Sequence, residues 1–152
     1  MLRFAVHTSL ALVLALACAC IRARKTERPP DAPRSIAYGY HTGLATPAHA
    51  VIRTVDEWIE TWSRHHSNVI PCPPLPRIDF TREMVLFVAV GQRPTGGYGV
   101  RITRTRIEGG EMVAEARETR PPAGAIVPMV VSQPYEFVRV PRFDGNVVFE
   151  TK

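Results

Sequence analysis

Lysine is nearly missing from this 152-residue chain: seventeen of its nineteen basic residues are arginine, spread from Arg3 to Arg142. No lysine run marks a polybasic arm, and the net charge of +5 reads as a solvated arginine face. Catalytic fingerprints are missing too. There is no G-x-S-x-G nucleophile motif, no phosphate-binding loop and no dinucleotide fingerprint. The one long apolar run is too short and too weakly flanked for a membrane span of about 20 residues, and no segment repeats. Proline, by contrast, is abundant. Its 14 residues are nearly twice the usual share of roughly 5%, which excludes a helical bundle or coiled coil. An apolar fraction of 45% excludes whole-chain disorder. The length suits one domain with a short tail.

Met1 to Cys20 has the layout of a bacterial secretory signal: one early Arg3, an apolar run from Leu10 to Ala17, then small residues. Leu14-Ala15-Leu16-Ala17-Cys18 resembles a lipoprotein signal, in which a lipidated Cys18 becomes the first mature residue. Cys20 is the alternative acceptor, and an ordinary soluble signal is the other reading. The expected organisation is a signal at 1–17, a lipidated Cys and disordered tether at 18–35, and one globular β-rich domain at 36–152. The tether is rich in charge and holds Pro29, Pro30 and Pro33, so it lacks the apolar surface needed to fold. Removing 1–17 takes away Arg3 alone and leaves a net charge of +4, from 18 basic and 14 acidic residues. An oxidising envelope would permit a Cys20–Cys72 bridge, but the tether would make it loose; a free, largely buried Cys72 is expected.

Tyr38 to Arg53 reads as an irregular segment ending in a short strand near Val51-Ile52. Thr54-Val55-Asp56-Glu57 is a capping box that opens a helix. Val55, Trp58, Ile59 and Trp62 follow at helical spacing on one face, and Arg64, His65 and His66 close the helix. Pro71, Pro73, Pro74 and Pro76 enforce an extended connection. Met84 to Val90 is a continuous apolar run suited to a strand buried on both faces. Gly91 to Gly97 is a loop, Tyr98 to Arg106 a strand, and Glu108-Gly109-Gly110-Glu111 a two-residue hairpin turn into a strand through Ala116. Ile126 to Val131, interrupted by Pro128, reads as an edge strand or bulge. Tyr135 to Val140 and Val147 to Phe149 complete six or seven short strands. With one N-terminal amphipathic helix they describe a mainly-β sandwich or partly open barrel.

Few residues could carry chemistry. His65, His66 and Cys72 are the one cluster resembling metal ligands, but adjacent helical histidines point about 100° apart, so solvated histidines are expected. Asp79 and Glu83 could pair, although Asp79 ahead of a strand suits the capping of turn amides. The arginines at 101, 104, 106, 117 and 120 lack the aromatic interleaving that nucleic acid would need. No catalytic residue, cofactor, metal or nucleic-acid partner is expected. The loop Arg93-Pro94-Thr95-Gly96-Gly97-Tyr98 remains: paired glycines open unusual backbone shapes, and Tyr98 is amphipathic and stiff. It reads either as a tight turn plugged by Tyr98 or as a partner-binding loop.

Ile78-Asp79-Phe80, Met84-Val85-Leu86, the loop from Gly91 to Tyr98, and Gln133-Pro134-Tyr135 followed by Val138 resemble in order and spacing the C-terminal domain of the PrcB family, protease-complex subunits. The likeness spans about 78–140, and the helix with Trp58 and Trp62 also looks like members of this group. The resemblance implies a non-enzymatic lipoprotein, anchored in the bacterial envelope, that binds and stabilises or assembles a partner protein such as a secreted protease complex. The same loop is similar to the Pro-Thr-Thr-Gly-Tyr loop of chagasin-type cysteine protease inhibitors, with Gly96 replacing the second Thr. A protease inhibitor acting through residues 93–98 is thus one alternative, and a structural envelope module another.

Overall fold

The computed structural model describes residues 32–152. Residues 1–17, Cys18, Cys20 and most of the expected tether lie outside the described residues. The described chain runs β1 Arg34–Gly39, β2 Ala48–Ile52, α1 Val55–His65, β3 Glu83–Ala89, β4 Gly99–Glu108, β5 Glu111–Thr119, β6 Tyr135–Pro141 and β7 Val147–Thr151. The strands form an antiparallel sheet ordered β1-β6-β3-β2 and a smaller sheet ordered β4-β5-β7. In the latter, β5 and β7 run parallel. The two sheets pack as a sandwich, not a closed barrel.

The apolar run of β3 is continuous because both of its faces are covered. Met84, Leu86 and Val88 point into the core between the sheets, with Val100, Ile102, Ala114, Ala116, Val138 and Val140. Val85, Phe87 and Ala89 point the other way, against Trp58 and Trp62 of α1 and Phe137 of β6. The helix is thus a third layer. Its capping box forms as expected: the Glu57 amide donates to Thr54 Oγ1 at 3.2 Å, and the Thr54 amide donates to Glu57 Oε2 at 3.1 Å. The two indole N–H groups donate to the Pro76 and Pro73 carbonyls, each at 3.0 Å. The proline connection therefore does more than span a gap. It satisfies the polar atoms of the tryptophans that it covers.

Several expectations need correction. Only Trp58 and Trp62 of the anticipated four-residue stripe are buried, whereas Val55 and Ile59 are about half exposed. The larger sheet touches that helix along Trp58, Trp62 and His65, spaced i, i+4 and i+7, a different stripe from the one the pattern suggested. His65 is buried rather than solvated, because the loop before β2 closes over the helix end: the Gly43 amide donates to the His65 carbonyl at 2.7 Å. Cys72 is free but exposed, not buried. β1 starts at Arg34, inside the stretch assigned to the tether. Ile126 to Val131 forms no strand; its neighbour Ser132 makes one isolated bridge with Arg93. The hairpin turn holds, with positive φ at both Gly109 and Gly110.

Candidate functional site

The register places two different ends on the sandwich. Gly39 of β1 pairs with Tyr135 of β6, and Tyr135 pairs with Ala89 of β3. From that end spring two loops, 91–98 and 120–134. At the opposite end Arg34 pairs with Arg139, and Glu83 with Pro141.

At the first end the two loops are bonded into one unit. The Arg93 and Ser132 backbones exchange hydrogen bonds at 2.8 and 3.0 Å, and the Gly96 amide donates to the Pro128 carbonyl at 2.8 Å. The Ser132 hydroxyl donates to the Thr95 carbonyl at 2.7 Å. Arg93 grips Glu118 with two parallel bonds, Nε to Oε1 at 2.7 Å and Nη2 to Oε2 at 3.1 Å. That hydrogen bonding holds the Glu118 carboxyl below its ordinary range. Gly97 sits at φ +84°, and a Cβ there would lie 2.9 Å from Val127 Cγ1 and 3.0 Å from Pro121 Cβ. Glycine is needed twice over, for the backbone angle and for the close approach of the upper loop.

Residues 93–98 therefore form a base, and what they support is apolar. Ile126 and Met129 are almost wholly exposed, and Val130 and Val131 about half. Sequence reasoning assigned these residues to an edge strand and so missed them. Their β-branched composition suggests pairing, but Pro121, Pro122, Pro128 and Pro134 remove backbone donors and hold the loop off any sheet. The usable signal was this proline spacing.

Beside the loops, all four tyrosines of the chain, Tyr38, Tyr40, Tyr98 and Tyr135, line a hollow of about 180 Å³ with Gly97 and Arg101. The Arg101 guanidinium lies 3.3 Å over the Tyr38 ring. It also donates to buried Glu136 at 2.9 Å, while Glu136 accepts from the Ile102 amide at 2.6 Å and the Ser35 hydroxyl at 2.9 Å. One carboxylate thus ties the larger sheet to β4 of the smaller. Nearby, His65 is enclosed by Trp62, Phe87, Tyr135 and Phe137. Neither ring nitrogen has a hydrogen-bond partner. Burial, then the neighbouring His66, pushes its pKa down to about 3.

The remaining sequence candidates do not assemble a reaction centre. No group of three or more His, Cys, Asp or Glu among the described residues could hold a metal. Asp79 accepts from the Thr81 amide at 3.1 Å and the Thr81 hydroxyl at 2.6 Å, which caps its turn as expected. Arg106 pairs with Glu108, Glu115 and Glu150, and Arg120 lies 3.9 Å from Glu118.

Fold and site together define a mainly-β sandwich domain with a helix on one outer face and two interlocked loops at one end. Residues 84–141 match the family model described as PrcB C-terminal, so this stretch of the chain is similar to that family. The matched stretch runs from β3 through β6 and takes in both interlocked loops. Comparisons with curated proteins and with solved structures gave no match.

Proposed function

We propose that the domain is a non-enzymatic binding module of the bacterial envelope, lipid-anchored through Cys18 or Cys20, that holds a partner protein in a protease complex. The observation that carries this reading is the exposed apolar loop, Ile126 to Val131, fixed on the Arg93–Tyr98 base. Four large apolar side chains facing water on a backbone stiffened by proline lose little entropy on docking, so partner contact uses most of their burial. The tyrosine hollow beside them adds amphipathic side chains suited to a polar rim. The match of residues 84–141 to the PrcB C-terminal model is consistent with a protease-associated role. The inhibitor reading finds less support, because residues 93–98 are bonded beneath the second loop instead of projecting as a free finger.

The test is capture from envelope membranes with wild type and with Ile126→Ser/Met129→Ser. Both side chains are solvent-facing, so the variant should match wild-type stability to within about 0.5 kcal/mol while losing the captured protein. Equal capture by a folded variant would remove the loop from the interface. Inhibition assays against a protease panel separate the inhibitor reading, and incorporation of radiolabelled fatty acid tests the anchor.

A further inference from the structure

The opposite end of the sandwich holds a hollow of about 450 Å³ lined by Arg34, Arg82 and Arg139 together with Asp79 and Glu83. Its charges are arranged unusually. Arg34 and Arg139 are direct cross-strand partners on β1 and β6. Like charges so placed repel, since directly opposed side chains start only about 5 Å apart. Arg82 brings a third guanidinium to the same hollow. The two carboxylates answer this incompletely. Asp79 Oδ1 is engaged by Thr81, and Glu83 reaches Arg139 at 3.9 Å, a long contact. The hollow also lies at the root of β1, where the chain emerges from residues 1–31.

We propose that Arg34, Arg82 and Arg139 form a binding site for a phosphate group, supplied by the headgroup of an anionic phospholipid. Guanidinium forks match phosphate oxygens bidentately, and an anion between the opposed arginines removes their repulsion. The choice of lipid over free phosphate rests on the anchored reading of the chain. An anchor joined to the chain ahead of β1 keeps this end within reach of the membrane surface, where anionic headgroups attract arginine. Headgroup binding at the arginines would turn the interlocked loops, at the opposite end, away from the membrane and leave them free for a partner.

The probe protein is residues 18–152 with Cys18→Ala and Cys20→Ala, so that no lipid contributes; it contains every described residue. Wild type should co-sediment with vesicles of phosphatidylcholine containing phosphatidylglycerol. Arg34→Gln/Arg82→Gln/Arg139→Gln should bind about a hundredfold less tightly, with an unchanged circular dichroism spectrum. A control removing three arginines from the smaller sheet and its flank, Arg104→Gln/Arg117→Gln/Arg120→Gln, should keep wild-type binding. Inorganic phosphate should shift the Arg34, Arg82 and Arg139 side-chain resonances. Shifts with phosphate but no vesicle binding would keep the site and reassign its source to free phosphate. Equal loss in both triple variants would reduce the effect to net charge, and no response to either probe would remove the site; both outcomes overturn the proposal. Because the phosphate measurement needs no anchor, a failed lipidation test leaves it decisive.

Discussion

The two ends of this sandwich are built from different chemistry on the same strands. At the loop end, glycines, prolines and tyrosines surround a buried carboxylate and a buried histidine, and backbone bonds between Arg93 and Ser132 and from Gly96 to Pro128 lock the two loops together. At the root end, exposed arginines face one another across β1 and β6 with partial compensation. The difference teaches where shape is held and where charge is held in reserve. Contacts at the loop end over-determine one backbone geometry. The root end tolerates repulsion because water screens it, and its energy is available to an anion.

If this contrast is right, substitutions should matter in a graded order. The largest effect belongs to Glu136→Ala, which leaves the Ile102 amide and the Arg101 guanidinium without their shared acceptor and uncouples β4 from β6. A loss of about 3 kcal/mol is expected by urea denaturation. A loss no larger than that of an ordinary surface change would mean the sheets are joined by apolar packing alone.

His65 comes next, and its effect depends on pH. Its pKa is lower in the folded state than in the unfolded chain, so the unfolded chain binds the proton first as pH falls. Stability from this residue is complete above about pH 6.5 and declines as pH falls from there toward 3. The decline should reach about 2.7 kcal/mol by pH 4.5. Replacing the residue, His65→Phe, should flatten that acid limb in thermal melts, and an unaltered limb would locate the sensitivity elsewhere.

Gly97→Ala should cost about 2 kcal/mol through its positive φ and the crowding of Val127 and Pro121. It should also lift the upper loop and weaken partner capture. The smallest effect, opposite in sign, is expected at the root. Arg139→Gln should stabilise the fold by a few tenths of a kcal/mol at low salt, as the facing Arg34 is relieved, and the gain should shrink at high salt. An Arg139→Gln penalty as large as that of Gly97→Ala would erase the distinction between the ends.

What could be read from the sequence is what neighbours in the chain decide. The capping box at Thr54, the Gly109-Gly110 hairpin and the apolar run of β3 each carry their signal within about ten residues, and each formed as read. β1 was not legible, because Arg34–Gly39 becomes a strand by pairing with β6 some hundred residues later. The same distance problem hid His65, whose ring is enclosed by Phe87, Tyr135 and Phe137. Ile126 to Val131 misled in the other direction: local composition favoured a strand, and the surrounding prolines decided against it. The base of the candidate site, 93–98, was singled out from its glycines. The apolar loop it supports was visible only once the two loops were seen bonded together.

The complete burial of β3 has a bearing on the chain before it folds. Met84 to Val90 is uncharged, free of proline and rich in β-branched and aromatic residues, a composition that stacks into cross-β aggregates when exposed. Natural sequences hold such segments in check with charges and prolines on their flanks. Here the preceding guards are Arg82 and Glu83, and the following ones Arg93 and Pro94. The residues that give the two ends of the folded domain their separate characters are thus also gatekeepers of its most adhesive segment.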